Sequence, residues 1–134
     1  MKIVFDTNVL ISGFITTTGP SQHVLTMALK RHTVILSDYI LEEMERKLVA
    51  KLQMPSDLVR DAVTFLRKKA LVLEISHASK ISFSDKKDIP ILRLIEVSKA
   101  NCFITGDKKL LELRKMGPTA FVTPREAMEI LENA

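Results

Sequence analysis

Two aspartates stand where apolar runs end. Asp6 follows Lys2-Ile3-Val4-Phe5, and Asp107 lies just past Cys102-Phe103-Ile104-Thr105, after Gly106. A third acid, Asp88, opens the segment leading into that second run, and Glu42 and Glu43 lie one to two turns into a helical pattern that starts at Ser37. If these segments converge, three or four carboxylates share one cleft. Carboxylates that close repel and raise one another's pKa values, which costs stability. A hard cation resolves the conflict, and Mg²⁺ takes oxygen ligands while keeping several waters. One or two such ions can activate a water and steady the leaving oxygen in phosphodiester cleavage. Each acid also has a simpler use: a turn for Asp6 and for Gly106-Asp107, an N-cap for Asp88, a solvated helix face for Glu42, Glu43 and Glu45. His23, His32 and His77 are scattered without ligand spacing, and no phosphate-binding glycine loop, HExxH or Ser/His/Asp signature is present.

The elements that must position these acids read as an alternation of strands and helices. Lys2–Phe5 is a buried strand. After Gly19-Pro20, Ser21 can cap a helix carrying Val24, Leu25, Ala28 and Leu29 on one side. Val34–Leu36 is a second strand, and Ser37 caps a helix with Ile40, Leu41, Met44 and Leu48 inward. Pro55-Ser56 opens a helix with Leu58, Val59, Ala62, Val63 and Leu66 in phase, and Leu71–Ile75 is a third strand. Asp88 precedes a helix bearing Ile91, Leu92 and Ile95, with Pro90 tolerated in its first turn. Cys102–Thr105 is a fourth strand, followed by a helix through Leu110, Leu111 and Leu113. Ala120–Val122 is a fifth strand, and Pro124 opens the last helix. This alternation predicts an α/β fold: a doubly wound, mainly parallel five-stranded sheet flanked by helices. Ligands of such sheets bind beyond the carboxyl ends of the strands, where Asp6 and Asp107 fall.

The 134 residues suit one domain, read here as 1–134, and the 46% apolar content supports a core. A net charge of +4 is compatible with a nucleic-acid partner. With six Phe, one Tyr and no Trp, contacts should be to phosphates rather than by base stacking. No apolar run reaches the roughly 18–20 residues of a membrane span. The opening MKIVFDTNVLISG is interrupted by Asp6 and lacks a small-residue cleavage site, and Cys102 is the only cysteine, so a cytoplasmic protein is expected.

The string Phe5-Asp6-Thr7-Asn8-Val9-Leu10-Ile11-Ser12-Gly13 resembles the opening motif of PIN-domain proteins, especially the VapC-like branch of toxin components of toxin–antitoxin systems. Ile104-Thr105-Gly106-Asp107-Lys108-Lys109-Leu110-Leu111 resembles that branch's fourth motif. Ser37 through Leu48 is similar to its acidic helix, and Ser84-Asp85-Lys86-Lys87-Asp88 to its Asp-rich lead-in to the next helix. Val122-Thr123-Pro124-Arg125-Glu126 is family-like too, so the resemblance runs, in order, through nearly the whole chain. It implies a metal-dependent endoribonuclease using Mg²⁺ or Mn²⁺, with Asp6, Glu43, Asp88 and Asp107 as the four acids and Thr7, Asn8 and Thr105 lining or orienting the site. A homodimer and a cognate antitoxin protein are the implied partners besides RNA. Helix phase leaves Glu42 and Glu43 close, Glu43 lying about 60° from Ile40; the family spacing from Ser37 selects Glu43. This chain departs from the pattern at Lys109, where many relatives carry another Asp, so a fully ligated second metal site is not implied.

Two other readings compete. The PIN-like fold can serve as a non-catalytic RNA-binding or scaffold module. The opening Phe5-Asp6-Thr7-Asn8 is also similar to haloacid-dehalogenase-type phosphatases, whose nucleophilic Asp is followed two residues on by an acid. Here that position is Asn8, Leu10 stands where that family has Thr, and Leu111 where it has a later Asp.

Overall fold

Residues 1–75 and 86–134 are described in a computed structural model. His77 and the Ser84-Asp85 part of the Asp-rich segment lie outside the described residues. The chain runs β1 (Lys2–Phe5), α1 (Thr7–Ile15), α2 (Pro20–Arg31), β2 (Thr33–Ser37), α3 (Asp38–Ala50), α4 (Ser56–Lys69) and β3 (Leu71–Leu73). A 3₁₀ turn (Lys86–Asp88) then leads into α5 (Ile89–Ser98), β4 (Cys102–Ile104), α6 (Lys108–Leu111), β5 (Lys115–Met116), β6 (Thr119–Val122) and α7 (Pro124–Glu132).

The sheet is parallel except at one edge, in the order β3-β2-β1-β4-β6-β5. From β1 the chain winds outward through β2 to β3, returns to place β4 on the other side of β1, and continues outward to β6. The winding therefore reverses between β1 and β4, which creates the crevice where such sheets bind ligands. The central strands are apolar on both faces because helices flank the sheet: Ile3, Val4, Phe5, Phe103 and Ile104 have no exposed surface. Among the described residues no helix is long and apolar enough to cross a membrane.

The α/β, mainly parallel architecture agrees with the sequence reading, while several details differ. Among the described residues the sheet has six strands rather than five, because Lys115–Met116 adds a two-residue antiparallel strand against β6. Two residues carry no readable periodicity. The segment Thr7–Ile15, assigned no element from sequence, is a helix. Its apolar residues are nearly continuous, and Val9, Leu10 and Ile11 are all buried, so it lacks the one-sided pattern of a surface helix. Gly13 allows α2 to approach: a Cβ there would stand 2.8 Å from Leu25 Cδ2 and 3.0 Å from the Ser21 carbonyl.

The second helix starts two residues earlier than expected, with Gly19 rather than Ser21 at the cap and Pro20 in the first turn. Leu58 is half exposed, not inward, because α4 packs at the β3 edge of the sheet through the narrower Val59 and Leu66 stripe. The third strand ends at Leu73, short of Ile75, and α6 stops at Leu111, which leaves Leu113 exposed.

Candidate active site

Asp6 sits at the reversal of the winding. Phe5 pairs with Ile104 across β1 and β4, and the Asp6 amide donates to the Ile104 carbonyl at 2.9 Å, so the exits of the two central strands abut. Asp6 is only 8% exposed. Its Oδ1 accepts from the Thr7 amide at 2.8 Å, capping α1, and its Oδ2 accepts from Thr105 Oγ1 at 2.6 Å. Thr105 Oγ1 in turn accepts from the Asp107 amide at 3.0 Å. One buried hydroxyl thus fixes both the Asp6 carboxylate and the backbone that presents Asp107. The Asp107 Oδ1 accepts from the Lys109 amide at 2.9 Å as the cap of α6.

Burial pushes the Asp6 pKa up. The hydrogen bonds from Thr105 and Thr7 lower it, and the charges of Glu43 and Asp107 raise it further. Glu43 from α3 and Asp107 from the β4 exit therefore both act on Asp6 at the β1 exit. On α3, capped by Ser37 at the end of β2, Glu42 is exposed while the Glu43 side chain is only 14% exposed. Asp88 is half-buried at the start of α5, where its side chain makes no capping bond. The nearby Tyr39 hydroxyl donates to the Lys87 carbonyl at 2.9 Å and ties α3 to the turn that carries Asp88.

Thr7 is fully buried, and among the described residues its Oγ1 has no hydrogen-bond partner. Asn8 is exposed and accepts at Oδ1 from Lys47 Nζ at 3.0 Å. That lysine, which the sequence reading did not single out, also lies 3.8 Å from Glu43 Oε1. The i, i+4 spacing of Glu43 and Lys47 was the signal that could have found it.

Among the described residues no group of three or more His, Cys, Asp or Glu side chains is placed to hold a metal ion. The donors nevertheless suit a hydrated hard cation, which is bound through one or two carboxylates and keeps its waters. A carboxylate pushed toward its neutral form mainly by burial and further by two neighbouring acids, beside an unpartnered buried hydroxyl, has the chemistry of a site completed by a cation and its water.

No curated protein matches the sequence. Among solved structures the chain is similar to one described as VapBC2 from Rickettsia felis bound to a DNA fragment from their promoter, with a TM-score of 0.67 and 12% identity. That match covers 92% of this chain and 98% of the other. At that identity the likeness establishes the shared fold. The PIN domain model matches residues 2–109, from the first strand through Asp107 and into α6. The chain therefore belongs to the PIN-domain family, whose members are generally nucleases.

Proposed function

We propose that the protein is a Mg²⁺- or Mn²⁺-dependent endoribonuclease and the toxin component of a toxin–antitoxin system, working as one PIN unit over residues 1–134. The observation that carries this reading is the Asp6 carboxylate: buried at the reversal of the winding, held by Thr105, and acted on by Glu43 and Asp107. In this reading Asp6, Glu43, Asp88 and Asp107 hold the ion. Bound there, it supplies an activated water and charge stabilisation at the leaving oxygen. Thr105 orients Asp6, the Thr7 hydroxyl offers a bond to a site water, and Asn8 lines the rim. Exposed Lys108 and Lys109, next to Asp107, offer cations to the phosphates of an RNA strand. Membership in the PIN family weighs against the haloacid-dehalogenase alternative.

An antitoxin partner is supported by the likeness to a VapBC2 structure, and a cytoplasmic site of action by the toxin reading. A homodimer is supported by exposed apolar surface: Ile15 and Leu52 line one cleft, and the half-exposed Phe65 packs edge-on against Phe14. The test is RNA cleavage by the purified protein with Mg²⁺ or Mn²⁺ and its loss with EDTA, together with growth arrest on induction and relief by a co-expressed partner. Cleavage without growth arrest would point to RNA processing instead of a toxin. That no group of three or more His, Cys, Asp or Glu side chains among the described residues is placed to hold a metal ion favours one second reading, a non-catalytic RNA-binding module; Mn²⁺ titration separates the two, since that module binds none.

A further inference from the structure

We propose that Lys47 is the internal counterion of the acidic site: its ammonium holds Glu43 and Asn8 in the ion-free protein and competes with a divalent cation for that corner. This rests on the reading of the acids as a cation site. Lys47 is not an ordinary surface partner of Glu43. An i, i+4 pair on one helix normally lies along the solvent face, where its two side chains are free to part. Here the ammonium leaves its own helix and donates to Asn8 Oδ1 of α1 at 3.0 Å while standing 3.8 Å from Glu43 Oε1. The Lys47 side chain is only 27% exposed, although a lysine stem of that length could carry its charge to water. It therefore spans α3 and α1, linking its own position, four residues from Glu43, to Asn8, two residues from Asp6.

The electrostatics give this placement a purpose. Asp6 at the start of α1 and Glu43 on α3 are like charges on two helices that Lys47 joins, and without a cation they repel. A positive charge on Glu43 offsets that repulsion. The same charge repels an incoming divalent cation, and at contact range the penalty is on the order of tenfold in affinity even in a water-like dielectric. Lys47 would then keep the ion-free protein folded while raising the cation concentration at which the site fills. Lys47 lines a cleft on one side with Asn8, Ile11 and Ser12 and another on the other side with Glu43, so open space borders its side chain on both sides.

The test is Mn²⁺ binding to the full chain by isothermal titration, comparing wild type with Lys47→Met, Lys47→Gln and Lys47→Arg, and thermal melts of each in EDTA and in saturating Mn²⁺. Both charge-removing variants should bind Mn²⁺ about tenfold more tightly, and both should melt lower than wild type in EDTA but not in Mn²⁺. Lys47→Arg, which keeps the charge, should restore wild-type affinity. An unchanged or weakened affinity in Lys47→Met and Lys47→Gln, with the wild type binding Mn²⁺, overturns the counterion role and leaves the metal reading standing. A wild type that binds no Mn²⁺ overturns both.

Discussion

Replacing Asp6 by Asn removes a carboxylate whose pKa is pushed up by burial and, less, by Glu43 and Asp107. Because the folded value lies above the ordinary 3.8, the folded state holds this proton more tightly than the unfolded chain does. Stability is therefore lost as pH rises from 3.8 through the raised value, and at neutral pH the ionised Asp6 is a net burden on the metal-free fold. Asp6→Asn should abolish metal-dependent cleavage and leave the neutral-pH melting temperature in EDTA unchanged or higher, an advantage that disappears below pH 3.8. If Asp6 served only its turn, the variant would melt lower in EDTA and respond to Mn²⁺ like wild type. Thr105→Val makes the opposite prediction for stability. It leaves the buried Asp6 Oδ2 and the Asp107 amide without their partner, a loss of about 1–3 kcal/mol in urea unfolding. It should also raise the Asp6 pKa further, readable by NMR titration. At this scale the sequence showed which acids follow strands, since a strand exit is a local feature. It did not show Lys47, whose meaning depends on Asn8, 39 positions away.

Elements were legible where one face is buried and the other is wet. The helix from Ser37 illustrates this: Ile40, Leu41, Met44 and Leu48 are buried as the spacing predicts, and Ser37 Oγ accepts the Ile40 amide at 3.2 Å. The helix Thr7–Ile15 was illegible because it is enclosed between α2 and α3 and its residues include adjacent β-branched and apolar side chains, which read equally well as strand. Its packing yields a prediction whose sign runs against propensity. Glycine within a helix ordinarily costs roughly 0.5–1 kcal/mol relative to alanine. At Gly13 the added Cβ meets Leu25 Cδ2 at 2.8 Å and the Ser21 carbonyl at 3.0 Å, and a backbone oxygen cannot rotate aside. Gly13→Ala should therefore destabilise the protein by about 1–3 kcal/mol in urea unfolding, with larger side chains worse. A stabilised variant would show that α1 and α2 are not held at this spacing.

Over the whole molecule, the βα alternation predicted the parallel sheet, yet it could not supply the strand order. Strand order is a long-range outcome, and it alone places Asp6 beside Thr105. The same long view bears on how a nucleic acid would be held. Phe5 and Phe103 are fully buried, Phe121 is 5% exposed, and Phe14 is half-buried. The single Tyr is half-buried with its hydroxyl on a backbone carbonyl. Among the described residues only Phe65 offers a large aromatic surface, and it sits on α4, an element at the β3 edge of the sheet rather than at the β1–β4 crevice. Exposed cations, by contrast, flank the acids: Lys108 and Lys109 follow Asp107, Arg46 shares α3 with Glu43, Lys51 caps the end of that helix, and Lys87 precedes Asp88. Binding should then be dominated by phosphate contacts and release of counterions. For a single strand held at about three phosphates, affinity should fall roughly twentyfold between 50 and 200 mM salt. Fluorescence anisotropy of a labelled RNA oligonucleotide with the Asp6→Asn protein measures this without cleavage. Lys108→Ala and Lys109→Ala should each weaken binding and flatten the slope of log affinity against log salt by about 0.7. An affinity that barely changes with salt would mean that bases, not phosphates, are being held, and the surface that holds them would have to be sought away from these lysines.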